Sequence, residues 1–250
     1  MSGHSKWATI KRKKGATDAA RGKIFTKLTR ELVTAARIGG GDPNANSRLR
    51  KAVADAKAQQ MPNDSIKRAI QRGSGDQDGV SYEDVVYEGT GPGGTLFVVE
   101  GTTDNRNRTA AEIRKLFEKH NGMLGAPGSA QWAFDRLGVI SLDKAVVTED
   151  ALMEVALGAG AEDYRDEGEV WVVYTPATEL DTVSSAFEAA KIPMLESKIA
   201  YIPKNKKTVT GRDAEVCLNM AEVLDDHDDV QNVFSDFDVS EEDLARLEQS

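Results

Sequence analysis

Residues 138–203 read GVISLDKAVVTEDALMEVALGAGAEDYRDEGEVWVVYTPATELDTVSSAFEAAKIPMLESKIAYIP. Short β-rich runs alternate there with helix-length amphipathic runs. The spacing predicts a strand over Gly138–Leu142, a helix over Thr148–Gly158 and strands over Ala161–Asp166 and Val170–Thr175. A helix over Glu179–Lys191 and a strand over Glu196–Pro203 complete the series. The order βαββαβ is that of the ferredoxin-like split unit, an antiparallel sheet with two helices on one face.

Outward from this unit, Tyr82–Glu88 and Thr95–Thr102 read as strands joined by GTGPGG, Gly89–Gly94. That glycine run has neither the GK[ST] ending nor the strand-to-helix context of a phosphate-binding loop, so it is expected to be a hairpin connection. In TDNRNRTAAEIRKLFEKHNG, Thr103 or Asp104 can cap a helix whose apolar positions are Ala110, Ile113, Leu116 and Phe117. Its first turn carries Arg106 and Arg108, beside the positive end of the helix dipole. That placement suits an anion, and the alternative is pairing with the acids of this part of the chain. Downstream, Arg212–Leu224 reads as a helix and Val230–Phe234 as a strand able to complete the sheet begun at Tyr82. Residues 136–205 are therefore expected to be inserted into a discontinuous domain made of 80–135 and 206–240, with 241–250 an acidic tail.

Upstream the character changes. Met1–Gly75 holds 17 Lys+Arg against 5 Asp+Glu, a net of +12, and the remaining residues hold 15 against 36, a net of -21. The formal charge of -9 and pI near 5.0 hide this split. A basic head on an acidic body points to one specialised surface, most often for phosphate, and a body that repels indiscriminate binding. Lys11, Arg12, Lys13 and Lys14 are consecutive in a segment without amphipathic period, which is expected to order on an anionic surface. Trp7 can stack on a base or fold back as an anchor. Thr17–Ile38 reads as a helix with Ile24, Phe25, Leu28, Leu32, Ala35 and Ala36 on one face and Lys23, Lys27, Arg30 and Arg37 on the other. Gly39–Gly41 stop it. Asp42 and Pro43 are an N-cap and first-turn pair for a second helix, striped by Leu49, Ala52, Val53 and Ala56 beside Arg48, Arg50, Lys51 and Lys57. After Pro62 a third helix, capped by Asn63 or Asp64, carries Ile66, Ala69 and Ile70 and is closed by Gly73. The fold class expected is multidomain α+β: an N-terminal three-helix domain over 1–75, then two ferredoxin-like α+β domains, the last inserted into the middle one.

The one cysteine, Cys217, excludes an internal disulfide and a thiolate metal cluster. No apolar run reaches the about 18 residues of a membrane span. His4, His120 and His227 lie in separate segments without metal-ligand spacing, and no nucleophile, base and orienting partner are nominated together. Asp225, Asp226, Asp228 and Asp229 around His227 lack the alternating ligands of a calcium loop and read as a solvated acidic turn. No catalysis, metal or cofactor is expected.

Four motifs in order, SGHSKWATIKRKKGATDAARGKIFTKLTREL, GGGDPNANSRLRKAVADAKAQQMPNDSIKRAIQRG, YEGTGPGG and TDNRNRTAAEIRKLF, closely resemble the YebC/PmpR family. Mitochondrial translational activators of cytochrome c oxidase belong to the same family. The resemblance spans essentially the whole chain and implies three domains, one inserted into another. It implies a cytoplasmic bacterial location, or a mitochondrial one for a eukaryotic source. Members have been labelled DNA-binding transcriptional regulators, and others act as ribosome-associated factors that assist translation through proline-rich stretches. Carried onto this chain, nucleic-acid contacts fall on Lys6, Trp7, Lys11, Arg12, Lys13, Lys14, Arg21, Lys23, Lys27 and Arg30 and, after these, on Arg106 and Arg108, with Arg37 added by its place on the cationic face of the first helix. Many relatives have an aromatic residue in the glycine-rich hairpin where this chain has Thr90, so stacking by that loop is not expected. The expected partner is nucleic acid, either ribosomal RNA or DNA, bound through the basic head. The acidic domains are left for protein contacts, and no membrane is expected.

Overall fold

The computed structural model describes residues 18–75 and 82–248. Three helices open it: α1 (Asp18–Gly39), α2 (Ser47–Ala58) and α3 (Asn63–Ser74). Leu32, Val33, Ala35 and Ala36 of α1 meet Leu49, Ala52 and Ala56 of α2 and Ile66 and Ala69 of α3 in a small buried core. Alanine at so many contact points brings the helices close together. Gly73 marks the limit, because a Cβ there would lie 2.3 Å from the Val33 carbonyl oxygen. The glycine expected to end α3 is thus a contact residue inside it, and the helix runs on to Ser74.

Asp42–Pro43 was expected to begin α2, and the helix begins five residues later. Asp42 Oδ1 accepts from the Asn44 amide in a local turn, and Asn46 is the cap, its Oδ1 accepting from Leu49 N at 3.1 Å. Asn46 Nδ2 donates to the Ala35 and Gly40 carbonyls, so one buried side chain both starts α2 and closes the end of α1.

The body contains β1 (Glu83–Thr90), β2 (Leu96–Thr103), α4 (Arg106–Lys119), β3 (Met123–Leu124), β4 (Phe134–Asp143), α5 (Glu149–Gly158), β5 (Asp163–Asp166), β6 (Val170–Pro176), α6 (Leu180–Ala189), β7 (Met194–Pro203), β8 (Lys207–Val209), α7 (Gly211–Asp225), β9 (Val230–Ser235), β10 (Phe237–Val239) and α8 (Glu241–Glu248). One antiparallel sheet has the order β5-β6-β4-β7, the ferredoxin-like arrangement. In sequence it falls between β3 and β9 of the other antiparallel sheet, whose order is β3-β1-β2-β9. That second sheet begins from a hairpin and reaches its two covering helices by a different strand order. β8 and β10 form a separate parallel pair, and most of the residues expected to form an acidic tail are α8.

Strand alternation sorts the side chains into layers. Phe97 and Val99 face α4 and α7, meeting Ile113, Phe117, Cys217, Met220 and Leu224. Ile140, Leu142 and Val173 face α5 and α6. The residues between them point the other way: Val98 and Phe234 from one sheet pack against Val139, Val172, Tyr174, Ala200 and Tyr201 from the other. Tyr201 and Phe234 meet edge to face at 5.4 Å. The body is therefore helix, sheet, sheet, helix, with its two sheets back to back. Glu88, buried on β1, fastens the loop ahead of β4 to this stack. Its carboxylate accepts from the amides of Gly128, Ala130 and Gln131 at 2.7, 2.7 and 2.8 Å.

Candidate nucleic-acid interface

The cationic face expected on α1 forms, and it is turned toward the body. Lys23 Nζ lies 2.9 Å from Asp226 Oδ2, and Lys27 Nζ lies 3.5 Å from Asp225 Oδ1. Arg30 pairs with Asp229 Oδ1 and donates to the Asp228 carbonyl oxygen. Its guanidinium also sits 5.7 Å from the centre of the Tyr82 ring. Lys23, Lys27 and Arg30, expected to contact nucleic acid, are paired with acids in this arrangement, because the end of α7 and the turn after it supply their anions. The next residue of α1, Glu31, takes Arg48 of α2 in a two-pronged pair at 2.7 and 2.9 Å. The same guanidinium reaches Asp84 of β1 at 2.7 and 3.1 Å. Arg48 thereby clamps α1, α2 and the body with one planar fork, a geometry that lysine does not reproduce.

Asp229 is the centre of this junction. Expected in a solvated turn, its side chain is only 3% exposed. Arg30 occupies Oδ1. Oδ2 takes Arg108 Nη2 at 2.9 Å and the hydroxyl of Thr109. Burial pushes the Asp229 carboxyl up, but the Thr109 and Arg108 hydrogen bonds and the two guanidinium charges outweigh it, and the group lies below the usual aspartate value. The Asp229 amide donates to His227 Nδ1 at 3.1 Å, and His227 Nε2 lies 3.0 Å from Glu112 Oε2. Glu112, His227 and Asp229 bring three potential metal-ligand atoms together. The Asp229 oxygens are already engaged by cations and hydroxyls, so the donor set favours the ion pairs.

Arg106 and Arg108 were expected at the start of α4, and they are there. Asn105, rather than Thr103 or Asp104, is the cap, its Oδ1 accepting from Arg108 N at 3.0 Å. Thr103 Oγ1 instead accepts from Asn105 N. Of the two readings for these arginines, the acidic pairing is the one observed: Arg108 reaches Asp104 at 2.8 Å and Asp229, and Arg106 lies 3.7 Å from Glu83.

Lys6, Trp7, Lys11, Arg12, Lys13 and Lys14 lie outside the described residues, and Arg21 is described only as part of the α1 backbone. Arg37 is exposed at the end of α1, as expected. Further cations, not among the expected contacts, are exposed on the neighbouring helices: Arg50 and Lys57 on α2 and Lys67, Arg68 and Arg72 on α3. Their signal was present in the scarcity of acids along both helices. Beside them, Asp55 is held by Lys51 at 2.9 Å.

Among the described residues, no helix is long and apolar enough to cross a membrane. Cys217 is fully buried beside Thr95 and Pro92, and burial pushes its thiol up to about 11. His120 is held against the Leu116 carbonyl at 2.7 Å.

Comparison with known proteins gives a consistent result over the whole chain. A "probable transcriptional regulatory protein" of Desulfotalea psychrophila is 53% identical over 248 residues, 99% of both chains. Its counterpart in Geobacter sulfurreducens is 51% identical over 247 residues, covering 99% of this chain and all of the relative. The crystal structure of a conserved hypothetical protein from Aquifex aeolicus superposes with a TM-score of 0.83 at 40% identity, covering 90% of this chain and 93% of that one. Residues 5–76 match the family model described as "TACO1/YebC protein N-terminal domain", and residues 82–237 match "TACO1/YebC second and third domain". With a basic three-helix head, two back-to-back antiparallel sheets and full-length identity near one half, this chain belongs to the TACO1/YebC family.

Proposed function

We propose that the protein is a non-enzymatic, nucleic-acid-binding regulator of gene expression that acts in the cytoplasm at the ribosome. There it assists translation through difficult, proline-rich stretches. The observation that carries the reading is the charge division, +12 over Met1–Gly75 against -21 over the remainder. A head of that sign binds phosphate through counterion release, and an acidic body keeps the attraction local. A run of consecutive cations over Lys11–Lys14 with scattered arginines suits the irregular surface of folded RNA, which is recognised by shape and backbone. The non-catalytic reading is supported by a Cys217 thiol held far from its reactive form and by histidines engaged in local hydrogen bonds.

A second reading, binding to DNA as a transcriptional regulator, is favoured by the printed names of the relatives. One experiment separates the two. The protein is crosslinked in cells, attached RNA and DNA are sequenced from the same sample, and the lysate is sedimented on a gradient. Recovery of ribosomal RNA with co-migration of protein and ribosomes supports the translational reading. Promoter enrichment without ribosome association overturns it in favour of DNA, and recovery of neither nucleic acid overturns both.

A further inference from the structure

We infer that the phosphate-gripping surface of the head is the outward side of α2 and α3, built from Arg50, Lys57, Lys67, Arg68 and Arg72, and that the α1 cations serve the junction with the body instead. The inference rests on the nucleic-acid reading above and names the site within it. The ligand is the phosphodiester backbone of a nucleic acid.

Three observations carry it. First, α1 is already committed. Arg30 and Asp229 are 14% and 3% exposed, so a phosphate taking Arg30 would leave the enclosed Oδ1 of Asp229 without its cation. Lys27 and Asp225 are nearly as enclosed, at 16% and 15%. Second, α2 and α3 pack inward through Leu49, Ala52 and Ala56 and through Ile66, Ala69 and Gly73. At about 100° per residue this turns Arg50, Lys57, Lys67, Arg68 and Arg72 away from the core, and all five are exposed. Among the described residues no carboxylate lies within ion-pair distance of them; Arg68 Nε reaches only the Asp64 carbonyl, at 3.2 Å. Third, the position of Arg50 is not one that helix stability selects. A cation in a last turn, such as Lys57 or Arg72, is favoured by the helix dipole. Arg50 stands in the first turn of α2, where the dipole opposes a cation and where no acid accompanies it. A cation kept at a positive helix end, solvent-facing and with no carboxylate partner among the described residues, is placed for an anion that comes from outside.

The test uses the full chain and two labelled probes of one sequence, an RNA hairpin and a DNA duplex, with affinity read by fluorescence anisotropy across a salt series. The triple variant Arg50→Gln, Lys67→Gln, Arg68→Gln is expected to weaken binding at least tenfold at about 0.1 M salt. Its slope of log affinity against log salt should be shallower by about 2–3, since each lost phosphate contact removes about 0.7–0.9. The double variant Lys23→Gln, Lys27→Gln is expected to keep the wild-type slope. On the wild-type protein, acetylation footprinting should find Lys57 and Lys67 protected by the probe and Lys23 and Lys27 unchanged, a readout that needs no variant to fold. If the wild type binds and the triple variant keeps its affinity and slope, the inference is overturned while the functional reading stands. If the wild type binds neither probe, both fall. Preference between hairpin and duplex separates RNA from DNA as the source of the phosphates.

Discussion

Removing the Asp229 carboxylate tests whether the head is held to the body by a buried charge centre or by surface attraction alone. In Asp229→Ala, Arg30 keeps its enclosed position, 14% exposed, and loses the anion that neutralises it. Breaking a buried pair from one side costs about 3–5 kcal/mol. Arg108 adds little, because its side chain is 41% exposed and also held by Asp104, and exposed pairs contribute about 0–1 kcal/mol. The expected loss is therefore about 3 kcal/mol, the lower end of the buried range. For a chain of this length it lowers the unfolding midpoint by about 6–12 °C, at about 2–4 °C per kcal/mol. Asp226→Ala is the control: its pair with Lys23 is 44% and 58% exposed, and its loss should stay within about 0.5 kcal/mol. The pH dependence adds a signature. The folded state holds the Asp229 carboxyl below its ordinary value, so it binds the proton less readily than the unfolded chain does. The contribution is complete above the unfolded value of about 3.9 and is lost as pH falls through the lowered folded one. Calorimetry of wild type and variant should show the gap at neutral pH narrowing below about pH 4. A loss under about 1 kcal/mol, or a gap that does not change with acid, refutes a buried charge centre.

The remaining predictions concern the head, the loop ahead of β4 and the thiol. Gly73→Ala places a Cβ 2.3 Å from the Val33 carbonyl and should destabilise the head by about 1–3 kcal/mol. Gly22→Ala, on the same bundle with nothing within 4 Å, should stabilise it by up to about 1 kcal/mol, and circular-dichroism melts compare the two. Glu88→Gln keeps one carbonyl oxygen for three amide donors. It should cost about 1–3 kcal/mol and speed hydrogen exchange at Gly128, Ala130 and Gln131, whereas unchanged exchange would remove Glu88 as the anchor. Cys217, with its thiol pushed up to about 11 and its side chain buried, should react with a disulfide reagent at pH 8 only after denaturant is added. Rapid labelling of the native protein would contradict the packing of α7 on β2.

What could be read from the residues alone depended on how local the deciding contacts are. The βαββαβ unit was legible because each element carries its own period and its partners lie close by in sequence. The first four residues of β4 were not. Phe134–Arg136 pair only with β7, opposite Tyr201–Pro203, and extend beyond β6; their outer positions, Asp135 and Arg136, are exposed and break the apolar pattern. Asp42–Pro43 carries a helix-start signal that local chemistry satisfies as a turn, because Asn46 is fixed by two carbonyls at the end of α1. Gly73 reads as a stop until Val33 stands opposite it. The greatest displacement from expectation, Asp229 in a turn taken for solvated, follows from distance along the chain: Arg30 is 199 residues away. No periodicity, cap or spacing rule connects positions that far apart. The cations of α1 and the acids after α7 were each legible, and their meeting was not.

That meeting bears on why so acidic a body can carry so basic a head without smothering it. Long-range attraction between the two would hold the head against almost any acidic surface, and it is screened over about 8 Å at physiological salt. Orientation has to come from contacts that permit one arrangement. Arg48 is bonded through both edges of its guanidinium, to Glu31 and to Asp84, and Arg30 is enclosed with Asp229. Both fix α1 inward. With α1 inward, Arg50 and Lys57 of α2 and Lys67, Arg68 and Arg72 of α3 stand exposed, and among the described residues no carboxylate lies within ion-pair distance of them. The carboxylates spent at the junction are few against the body's 36, so the rest still repel phosphate. Docking the head by its own charge thus consumes one cationic face, and on the inference above it leaves the exposed cations of α2 and α3 as the surface where an incoming anion meets attraction.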